Sequence, residues 1–311
     1  MKLSIILPVY NDWKCLEQVI EEIYTNDFLK KNNLNLVIID DCSSEEYSNF
    51  VKKIKVPATI LFHKFNKGNQ ESIFTGLRYL EKINSDFDFI IIMDSDGEDD
   101  PNDIEKLILN SNNNNKKIVF AKRASRENNL IFKILYNIYK ILFYFLVGKK
   151  MDFGNFCCIP KEHFKKILVL EKINIHFSAS IYKNNKNICF VFCNRKKRYD
   201  GQTKTNSLKL IVHGLKSLSI FYEEVISKLI VMSLLVMIFC ILMTIPVLYL
   251  KLFTPFPTPG WTTVAILGLS MIFLLFFLLF TISIFFFLMK FQEQRGENNN
   301  QYEIKKINQI D

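Results

Sequence analysis

Charged residues are nearly absent from one long segment near the C-terminus. Between Leu229 and Met289 the only charged residue is Lys251. Two apolar stretches, 229–250 and about 263–289, lie on either side of a short loop, KLFTPFPTPGW. A bilayer core needs roughly 20 apolar helical residues, so each stretch is long enough to cross it. This segment predicts a transmembrane helical hairpin rather than the buried helical hairpin of a soluble protein.

A cleavable leader is not expected either, because the N-terminal MKLSIILPVY has too short an apolar run and contains Pro8. Basic residues precede the first apolar stretch and follow the second: Arg195, Lys196, Lys197, Arg198, Lys204, Lys209, Lys216, Lys228, and then Lys290, Arg295, Lys305, Lys306. The positive-inside rule therefore places residues 1–206 and both termini in the cytoplasm, with 291–311 as a cytoplasmic tail. The net charge of +9 fits anionic lipid headgroups, and no nucleic-acid motif accompanies it.

Several common site motifs are missing. The chain has neither a Walker A loop nor GxGxxG, which argues against simple ATPases and dinucleotide-binding enzymes. The cysteines do not show the spacing of a zinc site, so they are interpreted as buried reduced thiols. His63, His163, His176 and His213 are scattered along the chain and are interpreted as structural.

The first half of the chain alternates apolar strands with amphipathic helices. Strands are predicted at 4–9, 34–40, 59–63, 89–93 and 117–122. We expect Asn11 or Asp12 to cap the helix that follows the first strand, and Asp100 to cap a helix with Pro101 at its first position. The pattern predicts an α/β fold, a doubly wound domain with a mainly parallel sheet.

Two further segments are amphipathic. Residues 130–150 are too charged to span a membrane, and they fit an interfacial helix and a core helix equally well. Residues 207–228 lead into the first apolar stretch, and we expect a juxtamembrane amphipathic helix there.

Polar clusters follow three of the predicted strands. They are Pro8-Val9-Tyr10-Asn11, Asp40-Asp41 and Asp94-Ser95-Asp96. Ligands of open α/β sheets bind beyond the carboxyl ends of the strands, so a nucleotide is expected to lie across these clusters. The loop FNKGNQ (65–70), with Asn66 and Gly68, opens a helix and is expected to add backbone contacts.

The acidic stretch MDSDGEDDP (93–101) is the strongest local signal. Alternate carboxylates at Asp94, Asp96 and Glu98 can converge on one hard cation, Mg²⁺ or Mn²⁺, which would neutralise charge on a nucleotide leaving group. Asp99 and Asp100 are expected to finish the loop and start the next helix.

Taken in order, the motifs resemble those of family 2 glycosyltransferases. They are LPVYN (7–11), IIDD (38–41), NKGN (66–69), DSDGEDDP (94–101), RASR (123–126), GNF (154–156) and RKKRYDGQTK (195–204). More narrowly, the set is similar to the polyprenyl- and dolichyl-phosphate sugar synthases, and TPGWTT (258–263) to their bacterial branch with two transmembrane helices. The resemblance implies a GT-A-like domain and a place in the bacterial inner membrane.

The resemblance also implies roles for individual residues. Nucleotide binding falls on Pro8, Tyr10, Asn11, Asp40, Asp41, Asn66, Gly68, Asp94 and Ser95, and metal binding on Asp94, Asp96 and Glu98. Arg195, Arg198 and Lys204 match a pattern that would hold the acceptor phosphate, with Thr203 where relatives have serine. The implied catalytic set is Asp96, Arg123, Arg126 and Asn155.

One position departs from the family pattern. Asn155 stands where relatives have an aspartate that is sometimes assigned as catalytic, and asparagine cannot act as a general base. A phosphate monoester is already anionic near neutral pH, so attack by a lipid phosphate needs positioning more than a base. Asp152 is close in sequence, but no role is assigned to it.

We therefore expect an inverting glycosyltransferase that moves one sugar from a UDP- or GDP-linked donor to polyprenyl phosphate. Two alternatives remain: transfer to a hydroxyl of a lipid-linked glycan, and a catalytically silent lipid-binding or scaffold subunit. A processive polysaccharide synthase is disfavoured because QxxRW is absent. The sugar, the lipid length and homo-oligomerisation are left open.

Overall fold

The computed structural model describes residues 1–45, 57–123, 130–193, 196–199, 207–254, 259–293 and 304–310. It divides into two compact units. The first comprises Met1–Ile141, Lys150–Ile220 and Gln301–Asp311, and the second comprises Leu142–Lys149 and Phe221–Asn300.

The first unit contains an eight-stranded sheet in the order β7-β5-β6-β4-β1-β2-β3-β8. Its strands are β1 (Lys2–Val9), β2 (Asn33–Asp40), β3 (Ala58–His63), β4 (Phe89–Ile92), β5 (Ile118–Arg123), β6 (Phe153–Pro160), β7 (Ile188–Cys193) and β8 (Ile304–Ile310). β1 pairs in parallel with β2 and β4, while β6 runs antiparallel between β4 and β5. The five predicted strands are therefore confirmed, and β6 and β8 add antiparallel pairings that the sequence did not predict.

Helices cover the sheet. The first unit carries α1 (Trp13–Thr25), α2 (Asp27–Lys30), α3 (Asn69–Lys82), α4 (Asp103–Asn113), α6 (Lys161–Leu168), α7 (Phe177–Asn184), α8 (Ser207–Ile220) and most of α5 (Leu130–Val147). Alternate residues of each central strand contribute to separate apolar clusters, with Ile5 in one and Ile6 in the other. Burial on both faces explains why β4 reads as an uninterrupted apolar run.

One helix start differs from the prediction, and Asp12 occupies the predicted N-cap position of α1 without the side-chain hydrogen bond of a cap. α4 begins at Asp103, because Asp100 Oδ1 accepts a hydrogen bond from the Asn102 amide (2.9 Å) and makes a turn before the helix. Asp12 precedes α1 but makes no capping hydrogen bond, since its carboxylate is engaged by Arg198. Prediction of Asp100 as the cap, with Pro101 first in the helix, is therefore wrong.

The second unit is dominated by α9 (Tyr222–Phe253) and α10 (Trp261–Glu293), which pack against each other. Residues Tyr222–Phe253 and Trp261–Phe286 are long and apolar enough to cross a membrane. The break between α8 and α9 falls at Phe221, whose ring packs edge-on against Phe143 at 5.6 Å.

The helix α5 shows an apolar face to its surroundings. Ile138, Ile141, Tyr144 and Phe145 are exposed, whereas Phe143 is buried. This part of α5 therefore has both exposed and buried apolar side chains, and its position at a membrane surface stays a prediction.

Candidate functional site

The order in which successive strands are added to the sheet changes direction between β1 and β4, at a position that we call the switch point. β2 and β3 lie on one side of β1, and β4 lies on the other. This is the position at which open α/β sheets bind ligands, beyond the carboxyl ends of the strands. Two hydrogen bonds join the loops there, from the Asp41 amide to the Val9 carbonyl (2.9 Å) and from Ser95 Oγ to the Pro8 carbonyl (2.6 Å). The three predicted polar clusters are therefore brought together at one edge.

Asp41 is buried and organises the loop before α3. Its carboxylate accepts hydrogen bonds from the amides of Lys67 (2.8 Å) and Gly68 (2.7 Å) and from His63 Nδ1 (2.9 Å). The other ring nitrogen of His63 lies 3.0 Å from Thr75 Oγ1. Gly68 has φ of +89°, a conformation that favours glycine. Asp41 thus shapes the loop in which nucleotide contacts were predicted.

Asp40 and Asn11 hold a second loop. Asp40 accepts a hydrogen bond from the Ser43 amide (3.2 Å). Burial raises the pKa of the Asp40 carboxyl group, and hydrogen bonding to Ser43 opposes this shift. Asn11 Oδ1 accepts from the Ser44 amide (2.7 Å). Tyr10 is exposed beside them. A flat exposed ring next to a buried carboxylate suits stacking and hydrogen bonding to a nucleoside.

The acidic loop after β4 is internally bonded. Asp94 Oδ1 accepts a hydrogen bond from the Asn69 side chain (3.1 Å), and Asp99 accepts one from the Asp94 amide (3.0 Å). Asp96 Oδ1 accepts from the Glu98 amide (3.0 Å). Within the described residues, no group of three His, Cys, Asp or Glu side chains is arranged to hold a metal ion. Asp99 therefore braces the loop and does not start the next helix.

Residues 196–199, which we name the basic cover, lie against this acidic loop. Arg198 pairs with Asp12 and lies 3.6 Å, Nη1 to Oδ2, from Asp96. Lys196 pairs with Glu22 (2.9 Å) and Asp100 (3.0 Å). Each of these two cations thus links one carboxylate of the acidic loop to one carboxylate outside it.

Backbone contacts fix the same arrangement. The Lys196 amide donates to the Glu98 carbonyl (3.0 Å), and the Tyr199 ring lies so close to Gly97 that a Cβ there would be 2.1 Å from it. Gly97 also has φ of +82°, so both its conformation and its contact with Tyr199 exclude larger residues. The basic cover and the acidic loop are thus built to fit one another.

Asn155 lies near the start of β6, close to the same edge. It is buried, and its Oδ1 accepts a hydrogen bond from Ser178 Oγ (3.3 Å). Ser178 neighbours His176, whose ring stacks on His213 with centroids 4.4 Å apart. These two histidines are therefore not scattered in space, whereas His63 and His163 make buried structural contacts as expected.

Some predicted residues cannot be placed in full. Arg126, Arg195 and Lys204 lie outside the described residues, and of Arg123 only its backbone at the end of β5 is described. Asp152 pairs with Lys122 (2.7 Å). Sequence reasoning missed the contributions of Asp12, Glu22, Lys196, Tyr199 and His213, since only their contacts across the fold distinguish them from surface residues.

A comparison with family models decides the family. Residues 4–168, just over half of the chain, match the model of Glycosyl transferase family 2. The chain belongs to glycosyl transferase family 2. The matched region runs from β1 to the end of α6 and so includes the switch point, the acidic loop and Asn155.

Curated relatives of this family 2 chain are distant. It is 25% identical over 172 residues to an undecaprenyl-phosphate 4-deoxy-4-formamido-L-arabinose transferase of Salmonella choleraesuis, covering 54% of this chain and 50% of that one. It is 27% identical over 126 residues to an uncharacterised protein of Methanocaldococcus jannaschii, covering 39% and 52% respectively. The chain thus spans about half the length of the curated relatives it matches.

Solved structures support the fold. Glucosyl-3-phosphoglycerate synthase of Mycobacterium tuberculosis, in complex with Mn²⁺, UDP and glucosyl-3-phosphoglycerate, matches with a TM-score of 0.52 at 12% identity, covering 72% of this chain and 80% of that one. The same enzyme with Mn²⁺ and UDP-glucose gives a TM-score of 0.51, again at 12% identity, covering 72% and 79%. The predicted GT-A-like α/β class, with two apolar C-terminal helices, is confirmed.

Proposed function

We propose that this glycosyltransferase transfers one sugar, with inversion, from a UDP- or GDP-linked donor to polyprenyl phosphate at a membrane face. The observation that carries the proposal is the meeting of the acidic loop and the basic cover at the sheet's switch point. Carboxylates suit a metal-bound diphosphate, and cations beside them suit a second phosphate. Likeness to the undecaprenyl-phosphate transferase supports the lipid acceptor.

The donor nucleotide would lie across the ends of β1 and β2. Tyr10 offers an exposed ring to the base, and Asp40 offers a carboxylate to the base or ribose. Asp41 would act indirectly by holding the amides of Lys67 and Gly68, while Pro8, Asn11, Asn66 and Ser95 set the loop shapes around the nucleotide. This division assigns direct binding to Tyr10 and Asp40, and positioning of the loops to Asp41, Pro8, Asn11, Asn66 and Ser95.

The acidic loop offers the type of ligand atom, carboxylate oxygen, that Mg²⁺ or Mn²⁺ prefers. Asp94 and Asp96 offer carboxylate oxygens, Glu98 is next in the loop, and the donor's diphosphate would complete the ligand set. A bound divalent cation would neutralise the charge that develops on the leaving nucleotide. Asp96 would have to exchange the nearby guanidinium of Arg198 for the cation.

The attacking group would be an oxygen of the lipid phosphate. Since that phosphate is anionic near neutral pH, no side chain has to remove a proton from it. Asn155, whose Oδ1 already accepts from Ser178, would serve as a neutral amide that positions the reactants. An aspartate there would place an added negative charge near the incoming phosphate, so asparagine is compatible with this acceptor.

Arg198, together with Arg195, Lys204, Arg123 and Arg126, would bind the acceptor phosphate. A guanidinium presents a planar set of donors that matches two phosphate oxygens. Arg198 already lies at the acidic loop, which is where donor and acceptor phosphates must approach each other.

We also propose that residues 1–206 form the catalytic domain, 207–228 a juxtamembrane segment, 229–290 a transmembrane hairpin and 291–311 a cytoplasmic tail that contributes β8 to the sheet of the first unit. The pairing of β8 with β3 supports this topology. If α9 and α10 both cross the membrane, the chain after them must return to the side that holds the sheet. Placement in a bacterial inner membrane, with that side cytoplasmic, rests on the flanking basic residues.

The test is to incubate membranes containing the full chain with radiolabelled UDP- and GDP-sugars, polyprenyl phosphate, and Mg²⁺ or Mn²⁺. Label extracted into a lipid that mild acid hydrolyses supports the proposal. Label in an acid-stable lipid-linked glycan would indicate transfer to a hydroxyl instead. Nucleotide binding without labelled lipid from any donor would indicate a catalytically silent subunit.

A further inference from the structure

Asn155 lies on the face of the sheet that α3 and α7 cover. It stands in β6 midway between Phe153 and Cys157, and both of these side chains belong to the apolar cluster that includes Phe177 of α7. Side chains two residues apart in a strand point to the same face of the sheet. The buried side chain of Asn155 therefore belongs to this face as well.

The pairing of β4 with β6 brings Asn155 to the start of the acidic loop. The two strands are antiparallel, and Ile92↔Cys157 is their last pair at this end of the sheet. Two residues beyond that pair stand Asp94 on one segment and Asn155 on the other. Asp94 is held from the α3 side, because Asn69, the first residue of α3, donates to its Oδ1 (3.1 Å). Asp94 and Asn155 therefore occupy the same end of adjacent strands, where the proposed function places the substrate phosphates.

The start of α7 holds Asn155 through a second set of buried hydrogen bonds. Gln70, in the first turn of α3, is buried, and its Oε1 accepts a hydrogen bond from the Phe177 amide (2.6 Å). The next residue, Ser178, is fully buried, and its hydroxyl donates to Asn155 Oδ1 (3.3 Å). Thus α3 fixes the start of α7, and α7 in turn fixes the carbonyl oxygen of the Asn155 side chain.

The neighbouring His176 determines the direction of the hydrogen bond between Ser178 and Asn155. Burial, and then the neighbouring His213, lower the pKa of His176 to about 3, so its ring is neutral near pH 7. Its Nδ1 accepts a hydrogen bond from the Ala179 amide (3.3 Å), and that nitrogen of a neutral ring has one lone pair to offer. Ser178 Oγ also lies 3.4 Å from this Nδ1, but the lone pair is already used. The hydroxyl proton of Ser178 is therefore directed to Asn155.

We propose that Asn155 and Ser178 together select an ionised acceptor: Ser178 holds the Asn155 side-chain oxygen, and the Asn155 Nδ2 group donates to the attacking phosphate oxygen. Within the part of the chain that the structure describes, no hydrogen bond engages Nδ2. With Oδ1 committed to Ser178, the group that remains for a substrate is an N–H donor and not an acceptor. The inference rests on the proposed function for the identity of the acceptor. Asn155 contacts the substrate, and Ser178 is a positioning residue.

The pair of residues distinguishes acceptors by charge. A site discriminates through the difference between its interactions with two ligands. A fixed N–H donor strengthens binding of an anionic oxygen, whereas a hydroxyl acceptor needs a base at this point to take its proton. Asn155 therefore favours a lipid phosphate over a hydroxyl of a lipid-linked glycan.

The test uses the full chain in lipid nanodiscs and three variants. Asn155→Asp keeps the shape of the side chain but exchanges its N–H donor for a negative charge. Ser178→Ala removes only the hydroxyl that holds the amide. Ser180→Ala is the matched control, because Ser180 is equally buried on α7 but donates to the Lys172 carbonyl (3.0 Å). KM for polyprenyl phosphate and for nucleotide sugar, binding of radiolabelled polyprenyl phosphate and of uncharged polyprenol, and thermal midpoints are measured for each protein.

We expect Asn155→Asp to raise KM for polyprenyl phosphate at least about tenfold, as for loss of one hydrogen bond to a charged group, and to leave KM for nucleotide sugar within about twofold. Ser178→Ala should raise KM for polyprenyl phosphate about three- to tenfold, because the released amide can turn its oxygen towards the phosphate. Binding of uncharged polyprenol should not change in either variant. Ser180→Ala should keep the wild-type KM values, even where its thermal midpoint falls as far as that of Ser178→Ala.

An unchanged KM for polyprenyl phosphate in Asn155→Asp, or a rise confined to KM for nucleotide sugar, would overturn the inference. Equal effects of Ser178→Ala and Ser180→Ala on KM would do the same, since they would show that loss of any buried hydroxyl from α7 has this result. If Asn155→Asp does not fold, the comparison of the two serine variants decides alone.

Binding measurements separate this inference from the proposed function, because binding needs no turnover. If no donor yields a lipid-linked sugar but Asn155→Asp and Ser178→Ala still weaken binding of polyprenyl phosphate and not of polyprenol, the proposed function fails and the contact stands. If the wild-type chain makes the lipid-linked sugar and both variants keep its KM and its binding of polyprenyl phosphate, the contact fails and the function stands.

Discussion

Arg198 lies between Asp12 and Asp96, with its Nη1 3.6 Å from the Asp96 carboxylate. The side chains of Arg198 and Asp96 are only 15% and 21% exposed, so solvent screens the pair less than it would a surface ion pair. In the proposed reaction both partners have other ligands, a phosphate for the arginine and a divalent cation for the aspartate. In the proposed reaction, the ion pair between Arg198 and Asp96 is therefore present before substrates bind, and the phosphate and the divalent cation then replace it.

Replacing Arg198 with alanine should change the apparent affinities for acceptor and metal in opposite directions. KM for polyprenyl phosphate should rise about tenfold or more, because a charged hydrogen-bonding partner of the phosphate is lost. The Mn²⁺ concentration for half-maximal rate should fall, because a competing cation leaves Asp96. Initial rates, measured over a range of polyprenyl phosphate and Mn²⁺ concentrations, give both values. Lys197→Ala, at an exposed neighbouring position, is the control, and an unaltered acceptor KM would contradict the assignment of Arg198.

Asp96→Ala should abolish transfer, with a loss of at least about a hundredfold, if its carboxylate holds the metal that stabilises the leaving group. The measurement is labelled-lipid formation at saturating donor and acceptor, together with Mn²⁺ binding by paramagnetic resonance. Asp86→Ala is the control, since Asp86 forms exposed ion pairs with Lys2 and Lys161. Full activity in Asp96→Ala would reject Asp96 as a metal ligand.

Asp41→Ala should destabilise the first unit. The substitution leaves buried His63 and the amides of Lys67 and Gly68 without their acceptor. Breaking a buried pair of this kind costs about 3 kcal/mol or more, which corresponds to a thermal midpoint lower by about 6 to 12 °C. Differential scanning fluorimetry measures the shift. Asp27→Ala, whose carboxylate is 93% exposed, should stay close to wild type, and equal midpoints for the two variants would show that Asp41 has no such role.

Stability should fall as the pH is lowered from 7 to 5, partly through His176. Its folded pKa is about 3, below the usual 6.5, so between these values the unfolded chain binds a proton that the folded chain does not. The stabilisation is therefore complete above pH 6.5 and is lost as the pH falls towards 3. For a single group the loss between pH 7 and 5 is about 2 kcal/mol.

His176→Asn removes this titration and keeps an oxygen that can accept from the Ala179 amide. The free energy of unfolding of wild type, measured with denaturant at both pH values, should therefore drop about 2 kcal/mol more than that of the variant. His213 is present in both proteins. If the free energies of unfolding of the two proteins fell equally between pH 7 and 5, protonation of His176 would not destabilise the folded chain.

Removing residues 301–311 should lower stability by uncovering the edge of the sheet. β8 pairs antiparallel with β3, from Ala58↔Ile310 to His63↔Ile304, with an irregularity between Phe62 and His63. Without it, the backbone groups of β3 form an unpaired edge that favours aggregation. We expect a lower thermal midpoint and more aggregate by light scattering. An unchanged midpoint and a monodisperse truncated protein would show that this pairing contributes nothing.

The prediction of the fold succeeded where local signals are strong. The apolar runs that became β1 to β5 are bounded by polar residues, and burial on both faces makes such runs distinctive. β6 was missed because FGNFCCIP has no alternation and follows the amphipathic α5 directly. β8 was missed because a strand with lysines at 305 and 306 is recognisable only once it lies along β3.

The sequence by itself determined the order of strands and helices, the two apolar C-terminal helices and the gathering of Tyr10, Asp40 and Asp94 at one edge. Periodicity and burial encode these features locally, and parallel strands bring their carboxyl ends together. Only the tertiary structure decided which charges meet. The pairing of Arg198 with Asp96, the burial of Asp41 against His63, and the stacking of His213 on His176 join segments far apart in the chain, and no local pattern specifies such partners.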